Sequence, residues 1–307
     1  MKNLVIYHAN CNDGFAAAWC AWMVFGDKDA EYMSAQYGDE PPTPEEVKDR
    51  HVYILDFSYK ADQIKEIGKH ALSVTILDHH KTARVELQEF IFDFPHFLEG
   101  DELIGIRARF CEFKSGAGLA WEHFHPTVKM PNLILYVQDR DLWRFEFNQT
   151  KAVHAFLLSR PKDFDKWSYI AYLLEKGNKD THDILETGQR IAETITRDIK
   201  RHANDNSYHA IIAGYVVPII NCPGSWFSEI GEMLSFGEPF AACYYFNGKK
   251  VIVGLRSSKE SGIDVEEVAK KFGGGGHKHA AGFTVGFGSS LLTPAYKNGT
   301  DAYSEIG

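Results

Sequence analysis

Three short apolar runs, at residues 3–7, 51–55 and 73–77, set the organisation of the first half of the chain. The segments between them are long enough for helical crossovers, so the pattern predicts a mainly parallel sheet. A further strand is expected over residues 104–110 and a helix over Gly116–Phe124. Thr43-Pro44-Glu45-Glu46-Val47 reads as a helix start, with a hydroxyl cap followed by proline and early acids. Over residues 164–203 the period changes: Ile184, Leu185, Ile191, Ile195 and Ile199 are spaced among polar residues as in long amphipathic helices. These helices either connect two domains or, in their first half, pack onto the first one. The polar cluster Asn204-Asp205-Asn206-Ser207 marks a boundary. Beyond it lie β-rich runs at residues 210–220, 241–246 and 251–255, with Asn247-Gly248 as a hairpin turn. The expected fold class is therefore α/β: a mainly parallel-sheet domain over 1–165, a helical connector over 166–204 and a smaller α+β domain over 205–287. Residues 288–307 lose periodicity and are expected to form a loosely ordered tail without a catalytic role.

The apolar runs share one construction, in that each ends in carboxylates or histidines. Residues 4–7 run into His8-Ala9-Asn10-Cys11-Asn12-Asp13-Gly14, residues 52–55 end at Asp56, and residues 73–77 end at Asp78-His79-His80. Residues 133–138, read as another strand, lead into Asp139-Arg140-Asp141. Near the C-terminus Gly273-Gly274-Gly275-Gly276-His277 precedes Lys278-His279-Ala280-Ala281-Gly282. Open α/β sheets place their chemistry at the carboxyl ends of strands. Taken singly, each string also has a plain structural reading: a histidine pair satisfied locally, or a glycine run that is only a turn.

Composition narrows the function classes. At 307 residues and 44% hydrophobic content the chain suits two domains, each with its own core. No stretch approaches the roughly 18–20 apolar residues of a membrane span, and Lys2 followed directly by a strand does not resemble a signal peptide, so a cytoplasmic location is the default. Five scattered cysteines (Cys11, Cys20, Cys111, Cys222, Cys243), with no CxxC, suit reduced thiols better than a disulfide frame or a zinc knuckle. A net charge of -9 argues against an extensive basic surface for long duplex nucleic acid and leaves a short oligonucleotide open.

The ordered motifs resemble the DHH phosphoesterase superfamily, whose members pair an N-terminal metal-binding DHH domain with a C-terminal DHHA1 substrate domain carrying a GGGHxxAAG loop. The resemblance covers roughly residues 1–287. It is closer to the branch that cleaves small nucleotides and short oligonucleotides than to the inorganic pyrophosphatases. It implies two divalent ions, which in such sites compensate phosphoryl charge and activate the nucleophile. The oxygen and nitrogen donors suit manganese, with magnesium and cobalt also compatible. By the resemblance, Asp56 bridges the ions, His79 and Asp139 bind one of them, Asp13 contributes from the first motif, and His8 completes the other shell. Asp78 would orient His79 through a hydrogen bond, and His80 would donate to a nonbridging phosphate oxygen or protonate the leaving group. The first motif departs from the commoner pattern of two carboxylates two residues apart, because Cys11 stands two before Asp13. One metal position is then weaker, or Cys11 or Asn10 contributes, or Cys11 is simply a small buried thiol. Arg140 and Asp141 are either a surface pair or part of the site.

In the second domain the resemblance implies that Gly274, Gly275, Gly276 and His277, with Lys278, bind an anion. Arg256 would grip the terminal phosphate of the substrate. Trp226 either stacks a base or belongs to the core. The implied activity is stepwise release of 5′-mononucleotides from short oligoribonucleotides, or hydrolysis of dinucleotides, with a cleft between the domains limiting length and homodimerisation left open. Alternatives are a phosphomonoesterase or polyphosphate hydrolase, acting for example on 3′-phosphoadenosine 5′-phosphate, and a nucleotide-binding sensor that has lost turnover.

Overall fold

The computed structural model describes residues 1–91 and 105–295. Its described residues form two compact units, Met1–Glu193 and the part from Thr194 onward. The first unit contains β1 (Asn3–His8), α1 (Asn12–Asp29), β2 (Ala30–Ala35), α2 (Pro44–Val47), β3 (His51–Leu55), α3 (Ala61–His70), β4 (Ser73–Asp78), α4 (Lys81–Glu86) and β5 (Ile106–Phe110). After these come α5 (Gly116–Phe124), α6 (Asn132–Asp141), α7 (Thr150–Leu158) and α8 (Phe164–Lys176).

The five strands pair in the order β2-β1-β3-β4-β5, all parallel. Alternation along each strand divides the apolar side chains between two faces. Leu4, Ile6, Val52, Ile54, Val74 and Ile76 pack with Ile64 and Ile67 of α3 on one side. Val5, Leu55 and Leu77 pack on the other side with Phe15, Trp19, Leu119, Ile134 and Trp167 from the helices. Helices on both faces are what a wholly parallel sheet requires. The chain reverses its direction of travel across the sheet between β1 and β3, which makes that crevice a topological switch point, where open sheets of this order bind ligands beyond the carboxyl ends of the strands.

α2 begins with the expected cap: the Thr43 hydroxyl accepts from the Glu46 N–H while the Glu46 carboxylate accepts from the Thr43 N–H. The expected strand over 133–138 is instead most of α6. A continuous apolar run fits a buried strand and a buried helix equally well, and here Leu133, Ile134 and Val137 line one helical face. Of the strand expected over 104–110, residue 104 lies outside the described residues and pairing begins at Ile106.

α9 (Lys179–Asn206) runs through the polar cluster at 204–206, which forms its last turn rather than a break before it. The second unit then has β6 (Tyr208–Ile212), β7 (Tyr215–Asn221), α10 (Phe227–Ser235), β8 (Ala241–Phe246), β9 (Val251–Arg256), α11 (Val265–Lys270), β10 (Gly275–His277) and β11 (Ala280–Val285). Its mixed sheet has the order β10-β11-β9-β8-β7-β6, with only the β7–β8 pair parallel. Val217, Phe240, Val253, Leu255, Val265 and Phe283 make one core layer. The β8–β9 hairpin turns at Asn247-Gly248, whose glycine has φ 91°, and Asn247 Oδ1 accepts from the N–H groups of Lys249 and Lys250.

The first residues of the tail are ordered, contrary to expectation. Ser290–Leu292 form a helical turn, Leu291 and Leu292 pack on the core, and the Ala295 N–H donates to the His209 carbonyl at 2.7 Å. The remainder, 296–307, lies outside the described residues. Among the described residues no helix is long and apolar enough to cross a membrane.

Candidate metal centre

Parallel strands bring their carboxyl ends to one edge, so residues far apart in sequence meet there. His8 ends β1, Asp56 follows β3, and Asp78-His79-His80 close β4 and follow it. The Asp56 N–H donates to the Leu77 carbonyl at 2.9 Å, and Asp56 itself adopts φ 62°, a left-handed conformation uncommon for a residue with a side chain. That conformation turns its carboxylate into the cluster. Asp56 Oδ1 lies 3.3 Å from His79 Nε2, and Asp56 Oδ2 lies 3.6 Å from His8 Nδ1.

Asp13 enters from the first turn of α1. Its two oxygens accept the leading amides of α5, from Gly116 at 2.6 Å and Ala117 at 3.1 Å. A carboxylate is favoured there by the helix N-terminus. Two glycines permit this packing: a Cβ on Gly14 would lie 2.4 Å from the His8 carbonyl oxygen, and one on Gly116 would lie 2.4 Å from Asp56 Cβ. Gly116→Ala is therefore expected to push Asp56 or α5 out of place, lowering metal affinity and turnover by roughly 100-fold, the effect of about 1 Å of misplacement. A calorimetric metal titration and a steady-state assay would check it.

The structure brings together His8, Asp13, Asp56, Asp78, His79 and His80 and does not bring Asp139 to them. Asp139 is buried, and its carboxylate accepts from the N–H groups of Glu146 (2.9 Å) and Phe147 (3.3 Å) and from the Thr150 hydroxyl. It pins the loop after α6 to the start of α7. Asp141 takes the position expected of Asp139, with Oδ2 3.4 Å from His79 Nε2. Ligand atoms of Asp13, His79 and Asp141 lie within 4.8 Å of one another, as do those of Asp56, Asp78, His79 and His80, and of His8, Cys11 and Asp56.

The donor set fits a divalent cation. Buried Asp56 Oδ1 and Asp141 Oδ2 both face His79 Nε2, at 3.3 and 3.4 Å, so two carboxylate oxygens share one imidazole and fall short of the partners that buried charges need. Burial pushes the Asp13 carboxyl well above the usual carboxylate range, reinforced by Asp56 and Asp141. Asp141 is raised by burial and by Asp56 against the opposing pull of His79. Burial would also raise Asp56, but hydrogen bonding to His79 and His8 outweighs it and holds that carboxyl low. For His79, burial disfavours the imidazolium, yet Asp56, Asp141 and Asp13 together lift it to about 11. Without a metal, His79 is the cation this acidic cluster holds.

Asp78 grips a different histidine from the one expected. Its Oδ1 accepts from the backbone N–H of His79 (2.7 Å) and stands 2.6 Å from His80 Nδ1, so the ring it orients is that of His80. Burial lowers the His80 imidazolium and Asp78 more than restores it. Sequence reading missed Tyr37, whose ring meets those of both His8 and His80 edge-on at 5.7 and 5.9 Å, and Lys162, whose Nζ donates to Asn12 Oδ1 at 2.9 Å. Neither carries a local signal, since both arrive from outside the motifs.

In the second unit the glycine run is part of the sheet. Gly275, Gly276 and His277 pair with Gly282, Ala281 and Ala280 in a hairpin that turns at Lys278-His279. A Cβ on Gly274 would meet the Gly282 carbonyl oxygen, and Gly276 has φ 146°. Ala280 also pairs with Arg256, so His277 and Arg256 stand in one cross-strand row on either side of a small residue. The Arg256 guanidinium donates to the Leu255 carbonyl (2.9 Å) and the Ser228 hydroxyl (3.1 Å). Trp226 is half-buried, packed beside the Phe227 and Ile230 layer.

Residues 233–286 match the DHHA1 domain, and the Asp-His-His triplet closes a strand of the preceding parallel sheet. The chain thus carries a DHHA1 domain in its second unit. An uncharacterised protein of Acanthamoeba polyphaga mimivirus is 28% identical over 91% of this chain, which spans 66% of that protein's length. Oligoribonuclease NrnB of Bacillus subtilis is 25% identical over 91% of this chain and 72% of its own. The structure of RecJ in complex with Mn2+ from Thermus thermophilus aligns at 12% identity over 92% of this chain and 49% of that one, with a TM-score of 0.48.

Proposed function

We propose that this DHH/DHHA1 protein is a metal-dependent phosphodiesterase that hydrolyses short oligonucleotides or dinucleotides to 5′-mononucleotides. The observation that carries the reading is the convergence of three carboxylates, the buried Asp13 and Asp56 and the half-buried Asp141, with His8 and His79 at the switch point of the parallel sheet, Asp56 Oδ1 and Asp141 Oδ2 sharing the one imidazole of His79. The similarity to an oligoribonuclease supports the substrate class.

Asp13, Asp56, His79 and Asp141, with His8 on the far side of Asp56, would hold two divalent ions, manganese suiting the carboxylate and imidazole donors. Bound there, the ions would supply charge compensation for the phosphoryl oxygens and a water of lowered pKa. The protein's own contribution is positional and protonic. Asp56 is aimed by its backbone conformation, Asp13 is anchored on α5, and His80 is held by Asp78 as a proton donor for a phosphate or leaving-group oxygen. In the second unit Arg256 and His277 would recognise a terminal phosphate, for which a guanidinium is suited by its fork of donors.

The deciding experiment is incubation with 5′-phosphorylated diadenylate and manganese, with a chelator control and chromatographic separation. Manganese-dependent AMP is the expected product, and a protein that binds manganese yet releases none refutes the assignment. Arg256→Ala is expected to raise KM about 10-fold or more for substrates with a terminal phosphate, the loss of one charge-assisted contact of about 1.5–3 kcal/mol, with kcat little changed. An equal loss on substrates lacking that phosphate would remove Arg256 from this role.

A further inference from the structure

The first motif lacks one carboxylate of the commoner family pattern, and the structure distinguishes between the two residues able to replace it. Asn10 is exposed and adopts φ 57°, a conformation that turns the chain into α1. Cys11 begins the next step of backbone, and its Sγ belongs to the group with His8 and Asp56 whose ligand atoms all lie within 4.8 Å. Asp56 is 1% exposed, and its Oδ2 lies 3.6 Å from His8 Nδ1. A nitrogen, a sulfur and a carboxylate oxygen thus face one point on the His8 side of Asp56, while the Asp13, His79 and Asp141 group offers oxygen and nitrogen alone.

We infer that Cys11 is a metal ligand, so that the two metal positions differ in kind: a thiolate-containing position formed by His8, Cys11 and Asp56, and a carboxylate-rich one formed by Asp13, His79 and Asp141. The inference rests on the metal-centre reading above and deepens it. Ligation requires the thiolate, so the ion that binds at this position displaces one proton from Cys11 to solvent. Thiolate is a soft ligand that favours zinc, cadmium or cobalt over manganese, whereas carboxylates favour the harder ions. The His8 side is therefore the position at which a thiophilic ion competes with manganese. The other four cysteines have no place in any such group among the described residues.

The test uses the full chain stripped of metal and titrated with cobalt(II), read by absorption rather than turnover. The expected result is a strong near-ultraviolet thiolate-to-cobalt charge-transfer band beside the weaker visible ligand-field bands. In Cys11→Ser the charge-transfer band is lost while ligand-field bands from the second position persist. Cys11→Asp, which restores the commoner carboxylate, serves as the second variant if serine compromises folding; it is expected to shift the cadmium-to-manganese affinity ratio toward manganese by about 10-fold or more. Ligand-field bands without a charge-transfer band in the unaltered protein, or a band that survives Cys11→Ser, would overturn sulfur ligation and leave the metal centre standing. Absence of any cobalt spectrum would overturn the metal centre, and this inference with it.

Discussion

Asp56→Asn is expected to lower turnover by more than about 100-fold, beyond the loss typical of residues that only support metal ligands. Among the described residues Asp56 faces both histidines, with Oδ1 toward His79 and Oδ2 toward His8, so its charge would serve both of the proposed metal positions. Asparagine is the informative replacement because it tolerates the left-handed backbone that Asp56 adopts, φ 62°, so the variant removes charge without adding strain. Alanine would add a backbone penalty of roughly 1–2 kcal/mol and confuse the two effects. The variant also has a signature without metal. His79 and His8 hold the Asp56 carboxyl below its usual range despite its burial, so the carboxylate contributes stability that is present above the unfolded value near pH 4 and is lost as pH falls through the folded one. Asp56→Asn should therefore be less stable than the unaltered protein at neutral pH, the difference shrinking below about pH 4. Thermal melts across pH, with and without manganese, test this alongside the assay. Activity within tenfold of the unaltered protein would remove Asp56 from its bridging role.

How far the site was legible in the sequence follows from which elements carry it. β1, β3 and β4 are short apolar runs with clear ends, and a parallel sheet aligns such ends without further information. His8, Asp56 and His79 could thus be placed together from sequence, and Asp13 followed from the helix start after β1. The Arg256 row was legible in part, because an apolar strand ending in arginine and a glycine run are both local patterns, though the pairing of Ala280 between them is not. Tyr37 and Lys162 were illegible. Lys162 reaches Asn12 across 150 residues, a meeting decided by helix packing and not by any periodicity. Cys11 was visible but undecided, since only the backbone at Asn10 determines which of two neighbouring side chains faces the cluster.

The fourth motif failed for a reason that yields the sharpest contrast among these variants. Residues 133–138 read as a strand leading into Asp139-Arg140-Asp141, where the resemblance puts the metal role on Asp139, with Asp141 either a surface partner or part of the site. In α6 they lie about 200° apart around the axis, and only one can face the metal centre. Asp141 does, with Oδ2 3.4 Å from His79 Nε2, while Asp139 holds the 146–150 segment through two backbone amides and the fully buried Thr150 hydroxyl. The two variants should therefore behave in opposite ways. Asp139→Ala leaves the buried Thr150 hydroxyl and two backbone amides without their acceptor and is expected to cost about 1–3 kcal/mol, a fall in Tm of roughly 2–12 °C, with manganese affinity of the folded protein nearly retained. Asp141→Asn relieves a carboxylate that burial and Asp56 already disfavour, so its metal-free Tm should hold or rise by a few degrees. Its manganese affinity should fall by about 100-fold. Calorimetric manganese titrations paired with metal-free thermal melts separate the two. The reverse pattern, with affinity lost in Asp139→Ala and stability lost in Asp141→Asn, would return Asp139 to the metal and show that α6 presents its other face to the site.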